Sequence, residues 1–417
     1  MSDRLISRAE LLMQQSRFDE AGKILSEVLA TEPDNIYILA MLSQVKLSQN
    51  KTSEAEELIN SAIAINPEVD FLYYVKSRIA ISLDRYDEAE ELLREALVLN
   101  SEDADYYSLL ASIKLDRKKY QEALDLADKA LEVDAENILG LNIRSTALLK
   151  LNRKQEATAT IQGALSEDPN NAYTHSNYGW SLLEQGDSKT ALVHFREALR
   201  NDPDLDHAQA GMAEALKARY LFYRLFLKYS FWISNLTSKY QWGVIIGFFF
   251  VTKFLRNVAA SNDTIQPYLQ PVIILLMLVA FSTWVMQPVS NLFLRLNTYG
   301  KHLLSNKEKL SSNFVGLSLL IFIVAILTYM LGAGEKWLAP AAFGFTMMVP
   351  FSVMFSPSRF KYSLIIYAVV MFCIGSAAIW ETFDSGELFN AFTPIFIFGF
   401  VAFQWLANFL MIRESNR

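Results

Sequence analysis

Four histidines and one cysteine are the side chains of this 417-residue sequence best suited to metal binding or nucleophilic catalysis. The histidines, His175, His194, His207 and His302, match neither an HExxH motif nor any Cys/His zinc spacing. The cysteine, Cys373, lies in an apolar run, so we expect a small buried hydrophobe. The sequence also has no P-loop, GxGxxG or GxSxG motif. We therefore predict no catalytic, cofactor-binding or metal-binding residues, and a protein that is not an enzyme.

The charges divide the sequence into two halves of different character. Residues 1–216 contain 22 Lys/Arg and 38 Asp/Glu, a net charge of −16, whereas residues 217–417 contain 16 and 7, a net charge of +9. The acidic half argues against nucleic acid as a partner, because phosphate binding needs clustered Lys and Arg. It favours neutral or basic polypeptides. Because the first residues contain no apolar core of signal-peptide length, we expect this half to stay in the cytoplasm.

The acidic half consists of one 34-residue unit repeated six times without a gap. Each unit has an alanine at one position, a small residue or valine seven positions later, and most often a proline twelve positions later. The alanines are Ala21, Ala55, Ala89, Ala123, Ala157 and Ala191, and the twelfth positions after them are Pro33, Pro67, Ser101, Ala135, Pro169 and Pro203. Small residues are needed where two helices nearly touch, and proline ends a helix.

This pattern resembles the tetratricopeptide repeat (TPR), a 34-residue helix–turn–helix. The resemblance covers residues 2–205 as six repeats, and a partial seventh helix begins near Asp206. The predicted fold class is all-α: an N-terminal TPR α-solenoid over residues 1–216, with six repeats and a capping helix, followed by a six-helix transmembrane bundle. The TPR resemblance implies a right-handed solenoid whose first helices line a concave groove.

The resemblance also implies which residues face that groove. They combine aromatic rings with amides and hydroxyls, which suits an extended or helical peptide; packing between repeats is the alternative role for each aromatic ring. The candidate groove residues are Tyr37, Gln44, Tyr74, Arg78, Ser112, Asn142, Tyr173, Asn177 and Trp180. The positions that form a Lys/Asn clamp for a C-terminal carboxylate in some TPR adaptors hold other residue pairs here, so we do not expect that kind of clamp.

The second half contains six apolar runs, most of them near the roughly 17–25 residues that a spanning helix needs. They are residues 242–255, 271–286, 314–331, 338–355, 362–380 and 389–412. We predict a transmembrane domain over residues 241–412 and a cytoplasmic tail over residues 413–417. The first run is short and is followed by Lys253 and Arg256, so it is either a short span or an interfacial helix.

The placement of basic residues favours six spans with both ends of the chain in the cytoplasm. On that arrangement the inner segments hold eight basic residues: Arg295, Lys301, Lys307, Lys309, Arg359, Lys361, Arg413 and Arg417. If the first run did not cross, these residues would lie outside, against the positive-inside tendency. The spans after the first contain almost no ionisable residues, which argues against an ion-coupled transporter.

Residues 217–240 join the two halves as a predicted amphipathic juxtamembrane helix. Lys217, Arg224 and Lys228 share one face of a helical wheel, opposite a face that includes Phe222, Phe226, Tyr229 and Ile233. These three basic residues are our candidates for contact with a membrane surface. The alternative is a solenoid cap that buries its aromatic face against the last repeat, and both arrangements can hold together.

The block from Tyr223 to Phe250, with PVSNLFLRLNTYGKHLLSNKEKLSSNFVG further on, resembles bacterial TPR-containing integral membrane proteins of unassigned function. This resemblance implies a multi-pass protein of the bacterial inner (cytoplasmic) membrane. Our hypothesis is a membrane-anchored scaffold that binds a protein or peptide through the TPR groove, with a second membrane protein or another copy of the chain as further partners. The alternative is a channel, lipid-handling protein or transporter regulated by the TPR domain.

Overall fold

The computed structural model describes residues 2–262, 265–297, 300–356 and 362–414, and all regular secondary structure within these ranges is helical. The chain divides into two compact units, Met1–Pro169 and Asn170–Arg417. This division lies one repeat before the change in charge near residue 216. The sixth repeat is therefore part of the same compact unit as the apolar helices.

The first unit contains five helix pairs. Their bounds are α1 Ser2–Gln14, α2 Phe18–Thr31, α3 Ile36–Ser48, α4 Thr52–Ile65, α5 Asp70–Ser82, α6 Tyr86–Leu99, α7 Ala104–Asp116, α8 Tyr120–Val133, α9 Ile138–Lys150 and α10 Lys154–Glu167. The repeated alanines of α2, α4, α6, α8 and α10 are buried, as their spacing predicts. Close packing is visible at the small positions, where the Ser43 and Ser145 hydroxyls donate to the carbonyl oxygens of Ala55 and Ala157 at 2.8 and 2.9 Å.

The turn within each repeat requires a left-handed backbone. Ser16, Asn50, Asp84, Lys118 and Asn152 have φ between 58° and 63°, and they are spaced 34 residues apart. The left-handed conformation is unfavourable for residues with a Cβ, by about 1–2 kcal/mol each. It recurs at one position of each of the first five repeats, between the two helices of the pair.

The second unit begins with the sixth repeat and its cap. The helices are α11 Ala172–Gln185, α12 Ser188–Asn201, α13 Asp206–Lys217 and α14 Leu221–Ser234. The capping helix α13 starts at the predicted residue. Phe195 of α12 is fully buried, and a Cβ at Gly179 or Gly211 would lie 2.7 or 2.1 Å from its ring. Glycine at these two positions makes room for the phenylalanine.

The apolar runs form six further helices. They are α15 Ser238–Ser261, α16 Gln266–Leu294, α17 Asn306–Met330, α18 Leu338–Val353, α19 Ser363–Ser385 and α20 Phe392–Glu414. Five of them are long and apolar enough to cross a membrane, and α18, with 16 residues, is too short to count among these. The count thus differs from the six spans predicted, and the difference falls on the fourth run. The first run, which looked doubtful, forms a helix of 24 residues.

The short helix α18 lies at the centre of the apolar helices. Half of its length is buried, and its Phe343, Met347 and Phe351 belong to a core that α16, α17, α19 and α20 share. A Cβ at Gly344 would lie 2.7 Å from the backbone nitrogen of Phe322 and the carbonyl oxygen of Ser318 on α17. The two helix backbones therefore approach closely at this glycine.

The structure tests the prediction for Cys373 but not the one for the last two groups of basic residues. Cys373 is exposed on α19, so the prediction of a buried cysteine is wrong; it lies on the outward face of an apolar helix, where a bilayer would replace protein neighbours. The basic residues of the predicted 356–361 loop and of the tail 413–417 lie outside the side chains that the structure describes.

Candidate functional site

Three aromatic or basic candidates of the first unit lie on the first helices of their repeats and are at least partly accessible. Tyr37 is 44% exposed, donates a hydrogen bond to Glu10 and lies 6.3 Å from the ring of Phe71. Arg78 is exposed, with its Cζ 6.0 Å from the centre of the half-buried Tyr74 ring. These positions offer aromatic area together with a cation, which suits a peptide with apolar and acidic side chains.

The smaller candidates of the first unit are less accessible. Gln44 and Ser112 are half-buried, and the Ser112 hydroxyl donates to the Leu109 carbonyl oxygen of its own helix at 2.8 Å. Asn142 is only 1% exposed and donates to the Ile138 carbonyl oxygen at 2.8 Å. In this conformation Asn142 supports α9 from inside and does not present its amide to a ligand.

In the second unit, two candidates converge on one histidine. Tyr173 is 45% exposed, and its ring centre lies 6.4 Å from that of His207. Trp180 is half-buried, stacks 5.6 Å from the same imidazole and donates from Nε1 to the His207 carbonyl oxygen at 3.0 Å. Asn177 is half-buried on the same helix. Trp180 thus packs within the repeat and also keeps part of its surface open.

Burial favours the neutral forms of two histidines, His194 of α12 and His207 of α13. Nδ1 of His175 lies 3.0 Å from Nδ1 of His194, and burial, together with the neighbouring His175, lowers the pKa of His194. Burial also lowers the pKa of His207. Among the described residues, no group of three or more His, Cys, Asp or Glu side chains could hold a metal ion. Nδ1 of His207 lies 2.8 Å from the Ser176 hydroxyl, so these histidines link neighbouring helices by hydrogen bonds.

Lys217 does not face a membrane surface, so the prediction for this residue is wrong. Its side chain is 2% exposed, and Nζ contacts the Glu214 carboxylate and, at 3.2 Å, Oδ1 of Asn291 on α16. The Tyr223 hydroxyl donates to the same carboxylate, and Lys217 Nζ lies 5.0 Å from the Tyr223 ring. The cap places a carboxylate three residues before Lys217, and a buried ammonium is retained by such a partner.

The helix α14 has a buried side that packs on the last repeat and an exposed apolar side. Tyr223 and Leu227 are buried against the last repeat, where Phe226 also packs. On the outer side Phe222, Leu225 and Trp232 are 77%, 57% and 51% exposed. Of the aromatic face that the helical wheel assigned, Phe222 and Tyr229 are exposed, whereas Phe226 and Ile233 are half-buried.

The two other basic candidates of α14 are more accessible than Lys217. Lys228 is exposed, whereas Arg224 is half-buried and donates from Nε to the Ala218 carbonyl oxygen at 3.1 Å.

A cleft of about 570 Å³ opens beside the last repeat. Its wall combines aromatic rings, carboxylates and neutral polar groups from α11, α13, α14, α16 and residues 302–308, which lead into α17 and form its first turn. The lining includes Trp180, Asp206, Gln209, Glu214, Tyr223, Phe226, Phe231, Gln287, His302 and Glu308. Sequence reasoning missed this cleft, because it depends on the segment 302–308 coming next to a repeat that lies about ninety residues earlier in the chain.

The first half of the chain matches models of known repeats. Tetratricopeptide repeat models match residues 12–79, 74–137 and 144–206. No curated protein was found to match the chain.

Among solved structures, the MamA protein is 18% identical and has a TM-score of 0.33, with 40% of this chain and 92% of that chain covered. YrrB, described as a TPR protein with an unusual peptide-binding site, is 17% identical and has a TM-score of 0.32. The match covers 45% of this chain and 96% of that chain. PilF of Pseudomonas aeruginosa is 20% identical and has a TM-score of 0.41. The match covers 51% of this chain and 97% of that chain.

Repeated helix pairs with buried small residues define the first part of the chain as a helical-repeat protein. Residues 12–206 carry tetratricopeptide repeats. Such repeats are interaction scaffolds, so the general kind of partner is a protein or peptide.

Proposed function

We propose that this protein is a membrane-anchored adaptor that recruits a cytoplasmic protein or peptide through the first helices of its tetratricopeptide repeats. One observation carries the proposal: a single chain joins matched repeats over residues 12–206 to five helices long and apolar enough to cross a membrane. The repeats supply a binding surface, and the apolar helices supply attachment to a bilayer.

The membrane arrangement that we propose has six crossings, with both ends in the cytoplasm of a bacterial cell. A 3₁₀ turn, Glu335–Trp337, runs directly into α18. Together these 19 residues rise about 30 Å, similar to the thickness of a hydrocarbon core. Neighbouring helices surround α18, which allows a short helix at this position.

The juxtamembrane helix supports the same arrangement. No Asp or Glu occurs from Ala215 to Asn262, whereas Arg219, Lys228 and Lys239 are exposed in this stretch. Together with the exposed aromatic side of α14, these cations suit the surface of an anionic bilayer.

An anchoring role fits the interior of the apolar helices better than a transport role does. Apolar side chains such as Phe343, Met347 and Phe403 form most of the shared core of α16 to α20, and buried polar side chains such as Ser311 and Asn390 are hydrogen-bonded within the protein. A transport pathway would need polar groups facing a water-filled cavity between the helices.

Capture of partners from crosslinked cells tests the adaptor function. Intact protein with the exposed Tyr37 and Tyr173 changed to alanine is compared with wild type, and Val98→Ala, an exposed residue of the second helix α6, serves as the control. We expect one or more specific partners with wild type and the control, reduced at least fivefold with the double variant. Equal recovery with all three proteins contradicts the proposed binding surface.

A further inference from the structure

The cleft beside the last repeat has the composition of a site for a cation. Asp206 of α13 and Glu308 of α17 both lie in its wall, and the described lining contains no Lys or Arg. Glu214 is already engaged by Lys217 and Tyr223, so Asp206 and the Oε1 atom of Glu308, whose Oε2 belongs to a capping box, supply the carboxylate oxygens for a guest. Glu308 accepts hydrogen bonds from Ser305, whose backbone and hydroxyl lie 2.9 and 2.8 Å from it, and this capping box fixes its position.

Aromatic rings form the remainder of the wall. Trp180 lies 6.3 Å from Phe231 in an edge-to-face arrangement, and Tyr223 lies 5.5 Å from Phe226. A guanidinium group gains from stacking on such rings and from bidentate hydrogen bonds to a carboxylate. Tyr223 also responds to the carboxylates of the cleft. Its hydroxyl has a raised pKa, because of burial first and then because of the charges of Glu214 and Glu308.

The shape of the cleft fits part of a polypeptide. A volume of about 570 Å³ lies within the roughly 300–1,000 Å³ range of ligand sites. Trp180, which belongs to the candidate peptide-binding face of α11, is also part of the cleft wall. A peptide on that face can therefore continue into the cleft without leaving the protein surface.

We infer that this cleft binds an arginine- or lysine-bearing segment of the recruited polypeptide, held by Asp206, Glu308 and the aromatic wall. The inference rests on the proposed adaptor function and adds a charge requirement to it. The partner then touches both the last repeat and the segment that leads into α17, because both contribute to this one site.

Fluorescence anisotropy with the full chain in detergent tests the inference. The probe is a fluorescein-labelled eight-residue peptide with two arginines in an Ala/Ser background, and the matched probe carries citrulline, which is neutral and nearly isosteric, at both positions. We expect the arginine peptide to bind at least tenfold more tightly than the citrulline peptide. We also expect this binding to weaken as salt is raised.

Matched variants locate the binding. The single variant Asp206→Asn removes one of the available carboxylates, and the double variant Asp206→Asn with Glu308→Gln removes both. The control, Asp204→Asn, removes a nearby exposed carboxylate outside the cleft. We expect the affinity for the arginine peptide to fall at least twofold in the single variant and at least fivefold in the double variant. In the control it should fall less than twofold. The single Asp206 variant leaves the Glu308 cap intact, so its result does not depend on the folding of α17.

Three outcomes would overturn the inference. They are equal binding of the two peptides, no binding of the arginine peptide, and an equal loss of affinity in Asp204→Asn and Asp206→Asn. Failure of this inference can be distinguished from failure of the proposed adaptor function. If cellular partners are lost with the Tyr37 and Tyr173 variant but retained with the cleft variants, the adaptor function stands and the charge requirement fails.

Discussion

At the scale of single residues, Lys217 shows how a basic side chain that looks like a membrane contact can be an internal one. Its ammonium is shared between Glu214 and Asn291, and it lies over the ring of Tyr223. These contacts join the capping helix, the juxtamembrane helix α14 and the apolar helix α16. One buried charge thus links three helices of the second unit, α13, α14 and α16.

Replacing Lys217 with methionine should destabilise the second unit strongly. The change leaves the Glu214 carboxylate half-buried without its cation, and breaking a buried pair in this way costs about 3–5 kcal/mol. The measurement is the thermal midpoint of purified protein in detergent. Lys228→Met, at an exposed position of α14, should change it little.

A second substitution checks the cause. Adding Glu214→Gln to Lys217→Met removes the unpaired charge and should recover part of the loss. If Lys217→Met and Lys228→Met give the same midpoint, the buried pair does not contribute as described.

At the scale of elements, glycine controls how closely helices approach. Gly344 brings α18 against the backbone of α17, whereas a Cβ at Gly243 of α15 would meet no atom within 4 Å. The same residue type therefore has two different roles. At Gly344 it permits a close contact between backbones, and at Gly243 it leaves a helix face open.

Alanine at these two glycines should give opposite results. Both substitutions gain helix propensity, by about 1 kcal/mol. At Gly344 the added methyl group meets backbone atoms at 2.7 Å, and overpacking of this kind costs typically 1–3 kcal/mol. We expect a lower thermal midpoint for Gly344→Ala and an unchanged or higher one for Gly243→Ala; a tolerated Gly344→Ala would contradict the close approach.

At the scale of the whole molecule, the proposed membrane arrangement depends on whether α18 crosses the bilayer. With six crossings the segment after α19 lies outside the cell, and with five it lies inside. Glu387 belongs to that segment and is exposed. Cys373 is the single cysteine of the chain, so a background with Cys373→Ser allows one new thiol to be placed at a time.

We expect Glu387→Cys in that background to react with a membrane-impermeant maleimide in intact cells. Lys301→Cys, between α16 and α17, should react only after permeabilisation, and it reports on the cytoplasmic side. Protection of Glu387→Cys in intact cells would mean that α18 does not cross.

The sequence predicts most of the fold because the information for it is local. A repeated alanine and a period of 34 residues fix the helix pairs, and the helix beginning at Asp206 follows from the same spacing. Long apolar runs likewise predict helices, although composition could not show that the run at 338–355 yields only 16 helical residues.

The site is less predictable, because it depends on contacts between distant segments. No local pattern shows that Lys217 meets Asn291 or that Glu308 lies beside the last repeat. A helical wheel assigns faces without knowing which neighbour covers them, and it therefore assigned Lys217 to the surface. A place on the first helix of a repeat does not fix accessibility either, since Tyr37 and Tyr173 are exposed there whereas Asn142 is buried.

The left-handed residue that recurs from Ser16 to Asn152 has a consequence for how such a chain can change length. Since every turn has the same geometry at the same position, a duplication or deletion of 34 residues joins two equivalent points and leaves each remaining hairpin intact. An insertion of any other length would put an ordinary helical residue where the backbone must reverse. Gene rearrangement can thus lengthen or shorten the repeat array in whole units, while the apolar helices stay as they are.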